Sequence, residues 1–345
     1  MTRAGESDVA RATVPDMPST PRRLAGRLLK VVAAIAVVLG VASLPSSAAE
    51  DPDRPGLPYY LPGTGGWLTP AGSGLTEVST AKQWFRLPPL VNAGLSWTLV
   101  RESDPRCRRL GDFNEINRWK GTLFFISPPG APEPYGYVGP FTVRTVAFGS
   151  IPVEATVRLK QPRDADNLPI GYDITQTTRT YCAGRGPNAS PTQEERETLP
   201  AEFEAPVEVR VMALVVDGVP LELTGSCKPE RESVLTLSGV GFSELDPSFP
   251  ENSPTPENVM TTPWFTVANG GLLTGSVGVA PFEGCTTRSG EDISKLLTAT
   301  VSGSSNGVQV RSQGLKGDEN CLKSTSCWSL VPRLPGLPYP KEAAQ

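Results

Sequence analysis

Apolar and polar side chains alternate with a period near two through much of this chain, as in Thr142-Val143-Arg144-Thr145-Val146, the pattern of strands with one buried face. Residues 95–101, 121–127, 141–149, 153–160 and 172–180 share that pattern and are rich in β-branched or aromatic side chains. A hairpin is expected where residues 207–216 and 219–223 flank Asp217-Gly218, because that pair tolerates the positive φ angles of a type I′ turn. Pro220 places the return strand at a sheet edge, since proline donates no ladder hydrogen bond. Further strands are expected at 264–267, 272–279, 297–302 and 308–312, with a turn at Asn269-Gly270-Gly271 and one short helical turn over 289–297.

The early chain breaks this pattern. Arg22, Arg23, Arg27 and Lys30 precede an apolar run at residues 31–44, and Ser46-Ser47-Ala48-Ala49-Glu50 follows it. That is the layout of a secretory signal peptide over residues 1–49, cut after Ala49. The run is shorter than the roughly 20 apolar residues a bilayer span needs. An uncleaved anchor is the alternative, and membrane contact is expected only through it.

Glycine and proline, at 34 and 36 residues, fit many short strands joined by tight turns. The expected fold class is all-β, with two antiparallel sandwich-like, disulfide-bonded domains at residues 66–245 and 262–331. A Pro/Gly-rich segment, 50–65, precedes them, a proline-rich acidic linker, 246–261, divides them, and a tail, 332–345, follows. Closure of one sheet into a barrel is a further arrangement the pattern allows.

The formal net charge of −4 argues against a nucleic-acid partner, which requires clustered Lys and Arg. Histidine is absent, which removes Ser-His-Asp and Cys-His machinery and most zinc sites. No cofactor or metal motif is present. Six cysteines, Cys107, Cys182, Cys227, Cys285, Cys321 and Cys327, all follow the export signal and are expected to form disulfides. Three precede the expected linker and three follow it, so full pairing within one chain needs at least one bridge between the halves.

The candidate ligand-binding residues are Asp112, Glu115 and Trp119 in one polar, aromatic stretch and Tyr135 and Tyr137 in another. Carboxylates accept hydrogen bonds from sugar hydroxyls or act as acid and base in glycoside hydrolysis, and an aromatic face stacks on a sugar ring. The same aromatics also suit burial under a loop or at a sandwich edge. Asp164-Ala165-Asp166-Asn167 gathers hard oxygen ligands of the kind calcium takes, but without EF-hand spacing it reads equally as a polar turn.

Residues 271–285, with Gly290-Glu291-Asp292, Leu296-Leu297-Thr298 and Ser302-Gly303, continue to Cys321. Together with Val216-Asp217-Gly218-Val219-Pro220-Leu221 and Gly225-Ser226-Cys227 upstream, this stretch resembles a group of secreted actinobacterial proteins of unknown function, over residues 206–321. The resemblance implies an exported protein and a Cys285–Cys321 pair. Cys107 with Cys182 and Cys227 with Cys327 would complete that scheme, one of 15 connectivities open to six cysteines. The functional expectation is a non-catalytic binding or structural protein of the cell envelope or extracellular space. Its alternatives are a carbohydrate-active enzyme using a carboxylate pair and a binder of envelope lipid or cell-wall glycan, the lipid binder requiring an apolar cavity between sheets.

Overall fold

The computed structural model describes residues 49–59, 66–103, 113–147, 149–183, 193–244 and 262–313. The strands are β1 (Gly66–Leu68), β2 (Ala71–Val78), β3 (Gln83–Arg86), β4 (Leu90–Ser103), β5 (Phe113–Phe125), β6 (Tyr137–Ala147), β7 (Ile151–Lys160), β8 (Tyr172–Ala183) and β9 (Gln193–Thr198). They continue as β10 (Ala201–Val216), β11 (Val219–Leu221), β12 (Lys228–Pro229), β13 (Ser233–Gly239), β14 (Phe242–Ser243), β15 (Phe265–Thr266), β16 (Gly270–Val279), β17 (Phe282–Glu283) and β18 (Gly303–Gln313). One helix, α1 (Ser294–Val301), lies between β17 and β18. The expected all-β, antiparallel class is what the chain adopts.

Among the described residues, β8, β5, β4, β2, β18, β16, β13 and β10 form a closed ring in which each strand is hydrogen-bonded antiparallel to the next. Glu202 and Phe203 of β10 close it against Thr175 and Ile174 of β8. Closure removes the open edges that a sheet of this size otherwise presents. β10 then changes partner. Through Val207 it pairs with β13, and from Glu208 it pairs with β7, which in turn pairs with β6. The long strand therefore belongs to both the ring and a second sheet. The Asp217-Gly218 hairpin expected from sequence joins β10 to β11, with φ of 50° and 77° at the turn.

The expected division at 246–261 does not divide the sheet. β16 lies between β13 and β18, and β18 pairs with β2, so strands from both sides of that segment complete one ring. The described residues from 49 to 313 fall within one compact unit. Such pairing between distant segments leaves no local trace in an alternating pattern, because period two sets which face a residue takes and says nothing of the partner strand.

The disulfide pattern also departs from expectation. Cys227 bonds to Cys285, so neither the Cys285–Cys321 pair nor the Cys227–Cys327 pair forms. The bridge does join the two expected halves, and both cysteines are fully buried. They sit beside the β12–β17 ladder, where Lys228 faces Glu283 and Pro229 faces Phe282, which brings Cys227 and Cys285 together at a Cα separation of 4.2 Å. Cys182 is also disulfide-bonded. Cys107, Cys321 and Cys327 lie outside the described residues, as do Asp112 and the expected signal and tail segments.

Residues 297–302, expected as a strand, instead lie mostly in α1. Ile293, Leu297 and Val301 recur every four residues and put one apolar stripe against the second sheet. Ser294, Thr298 and Ser302 repeat at the same spacing and fasten the helix to the chain before it. The Ser294 hydroxyl accepts from Cys285 N–H at 3.1 Å, Thr298 accepts from Phe282 N–H at 2.8 Å, and Ser302 donates to the Ala280 carbonyl at 2.8 Å. Elsewhere Leu57, from the Pro/Gly-rich segment, is fully buried with Trp67, Phe124 and Tyr135.

Candidate functional site

The shared strands enclose two apolar cavities, one beyond the other. On β18, Val310 and Ser312 line the first cavity while Asn306 and Val308 line the second. On β16, Gly270 and Leu273 face the first and Val277 and Val279 the second, and β2 and β10 divide likewise. Leu235 of β13 lines both and stands between them.

The first cavity, about 100 Å³, is the interior of the ring, and all eight ring strands contribute to its wall. Phe125, Tyr172 and Phe203 form an aromatic end, with Tyr172 edge-on to both phenylalanines at centroid distances of 5.6 and 5.8 Å. The Tyr172 hydroxyl donates to the Pro206 carbonyl at 2.7 Å, and burial raises its pKa above the usual phenol range. Phe265 and Val267 enter from another side. Gln176 holds them there, donating to the Leu199 and Phe265 carbonyls at 3.1 and 3.0 Å and accepting from Val267 N–H at 2.8 Å. Its amide is satisfied by these three bonds, so it serves to seat Phe265 and Val267.

The second cavity, about 150 Å³, lies between the β6-β7-β10 sheet and β2, β13, β16 and β18, with Leu297 and Val301 of α1 on its wall. Phe85 and Leu87 line it from β3 and the residue after it. Its wall has a seam. β3 is hydrogen-bonded to β2 and β6 to β7, and no ladder joins β3 to β6 among the described residues. An apolar cavity of roughly 150 Å³ stays dry and holds a molecule the size of benzene. Among the described residues, the polar ones on its wall are Thr76, Glu77, Thr145 and Asn306. Asn306 is engaged, accepting from Ser79 N–H at 3.0 Å and donating to the Val277 carbonyl at 3.3 Å. Thr145 is 8% exposed, and its hydroxyl has no hydrogen-bond partner among the described residues.

The residues singled out from sequence lie elsewhere, and none of the four described ones lines either cavity. Glu115 and Trp119 stand where β4, β5, β8 and β9 run on beyond the ring, and Trp119 is 37% exposed opposite Thr98 and Gln176. Hydrogen bonds from Asn117 and from Arg101, the latter at 3.0 Å, hold the Glu115 carboxyl below its usual range. This is the opposite of what a general acid needs. Tyr135 and Tyr137 are not exposed anchors. Tyr135 is 2% exposed, and burial raises its pKa, while Tyr137 packs under the Arg158 and Arg163 guanidinium groups at 5.1 and 5.6 Å. The Asp164 carboxylate caps its own turn, accepting from Asp166 and Leu168 N–H at 3.0 and 2.9 Å, as the polar-turn reading requires.

Sequence reasoning passed over Thr145 and Leu235. The signal for Thr145 was present, since Phe141, Val143, Thr145 and Ala147 share one face of β6 and only the threonine carries a hydroxyl. No family model, no curated protein and no solved structure matches this chain.

Proposed function

We propose that this chain is an exported, non-catalytic binder of apolar ligands that houses the alkyl part of an envelope lipid. The observation that carries the reading is the pair of apolar cavities lying along shared strands with Leu235 between them. At about 3.4 Å per residue, the stretch of β16 from Gly270 to Val279 spans roughly 30 Å. A flexible chain suits such a narrow, elongated interior better than a rigid ring system does. The seam between β3 and β6 offers a side entrance that needs no ladder hydrogen bond to break. The basic and apolar stretch at residues 22–49, with the buried disulfide, supports export.

Binding of a neutral naphthylamine fluorophore to the purified chain tests the reading. Saturable binding is expected, with competition by octane, and Leu235→Trp should weaken it at least tenfold by filling the junction. Absence of saturable binding, or equal binding by the Trp variant, would count against an interior site. Saturable binding to soluble wall glycan fragments instead would favour the sugar-binding alternative.

A further inference from the structure

The geometry points to Thr145 as the recognition residue for a single uncharged oxygen, a hydroxyl or an ester carbonyl, on the ligand of the second cavity. This rests on the apolar-binder reading above and names the ligand's chemistry: a neutral amphiphile with one hydrogen-bonding oxygen near its end.

Buried hydroxyls ordinarily find a partner, because leaving one unpaired forfeits the hydrogen bonds it made in water. Thr145 has none among the described residues, although it is 8% exposed and lies on the cavity wall. Its neighbours on the same face, Val143 and Ala147, are apolar and buried, and its register partner on β7 is Val153. A threonine hydroxyl both donates and accepts, so it serves an alcohol or a carbonyl equally.

The charge of the wall limits the choice. Among the described residues, Glu77 is the one ionisable residue lining this cavity, and no Lys or Arg does so. A carboxylate or phosphate headgroup would thus lose its hydration without a counter-charge. Position fits as well. Thr145 is on β6, whose free edge faces the seam, so an oxygen held there stays beside the entrance while the alkyl chain runs inward past Val308 toward Leu235.

Competition by octanol and by octane against the neutral fluorophore, in wild type, Thr145→Val and Thr145→Ser, decides the matter. Wild type should prefer octanol over octane. Thr145→Val keeps the side-chain shape and should cut octanol affinity by about fivefold, the worth of one hydrogen bond, with octane unchanged or tighter. Thr145→Ser should retain the preference. An octanol-to-octane ratio that is equal in wild type and Thr145→Val overturns the assignment while leaving the cavity reading intact. Failure of both competitors and the fluorophore to bind wild type removes the apolar-binder reading, and this inference with it.

Discussion

The two compartments share five strands yet are closed by different means. The first is ringed by backbone hydrogen bonds on every side, whereas the second is completed by α1 and by β3 and β6, which lie near each other with no ladder between them among the described residues. A ladder opens only when several hydrogen bonds break together, but a seam without a ladder has no such set of bonds to break. On the proposed reading the ring is therefore the fixed part of the molecule, and the second compartment is the part an apolar ligand would enter. Among the described residues, Thr145 carries the unpaired hydroxyl on the wall of the second compartment, while Gln176 and Tyr172 around the first are engaged. The unpaired hydroxyls of Ser73 and Ser233, on ring strands, line neither cavity.

The largest expected effect falls on the helix that ends the second compartment. Leu297 is 2% exposed in the cluster with Val211, Leu214 and Phe282, so Leu297→Ala should cost about 2–5 kcal/mol in denaturant unfolding. Loss of protection in hydrogen exchange should concentrate in β6, β7 and α1. Equal loss around the ring would mean that the two compartments unfold as one. Replacing Cys227 and Cys285 by alanine should cost about 2–4 kcal/mol, since the bridge closes a sequence separation of 58 residues. Its effect should appear in the same segments, as Cys285 N–H is bonded to Ser294 at the start of α1.

Much of the sheet was legible because alternation is local. β6, β7, β8 and the Asp217-Gly218 hairpin each carry their own pattern of inward and outward residues. β2 escaped notice because Ala71-Gly72-Ser73-Gly74 offers little hydrophobic contrast, and its pairing with β18 joins segments more than two hundred residues apart. The helix was misplaced because Leu296-Leu297-Thr298 reads as a β run unless the four-residue recurrence from Ile293 to Val301 is weighed first. The site was less legible than the fold. An enclosed apolar space belongs to no single residue, and the charged and aromatic residues that draw attention in a sequence, Glu115 and Tyr137 among them, are occupied with ion pairs and packing.

Smaller effects sharpen the contrast between ring and seam. Amides of β3 and the outer edge of β6 should exchange at least tenfold faster than those of β5 and β8, a gap of about 1.4 kcal/mol. Uniform protection would deny the seam its role. Phe85→Ala, which trims a seam residue lining the second cavity, should speed fluorophore release severalfold in stopped flow, and an unchanged rate would place the entrance elsewhere. Glu115→Gln should matter least, within about 1 kcal/mol, because its partner Arg101 is largely exposed. Its folded pKa is lowered, so its contribution is present above the unfolded carboxylate value and fades as pH falls through the folded one. A titration of stability from pH 6 to pH 2 in wild type and Glu115→Gln, with the difference vanishing at the acid end, checks that sign.

The central claim is that the interior is occupied by an alkyl chain, and organic extraction with mass spectrometry of protein purified without detergent tests it most directly. The account predicts a neutral amphiphile bound in near-stoichiometric amount to wild type and depleted at least tenfold in Leu235→Trp. Equal and trace amounts of lipid in the two proteins would contradict it.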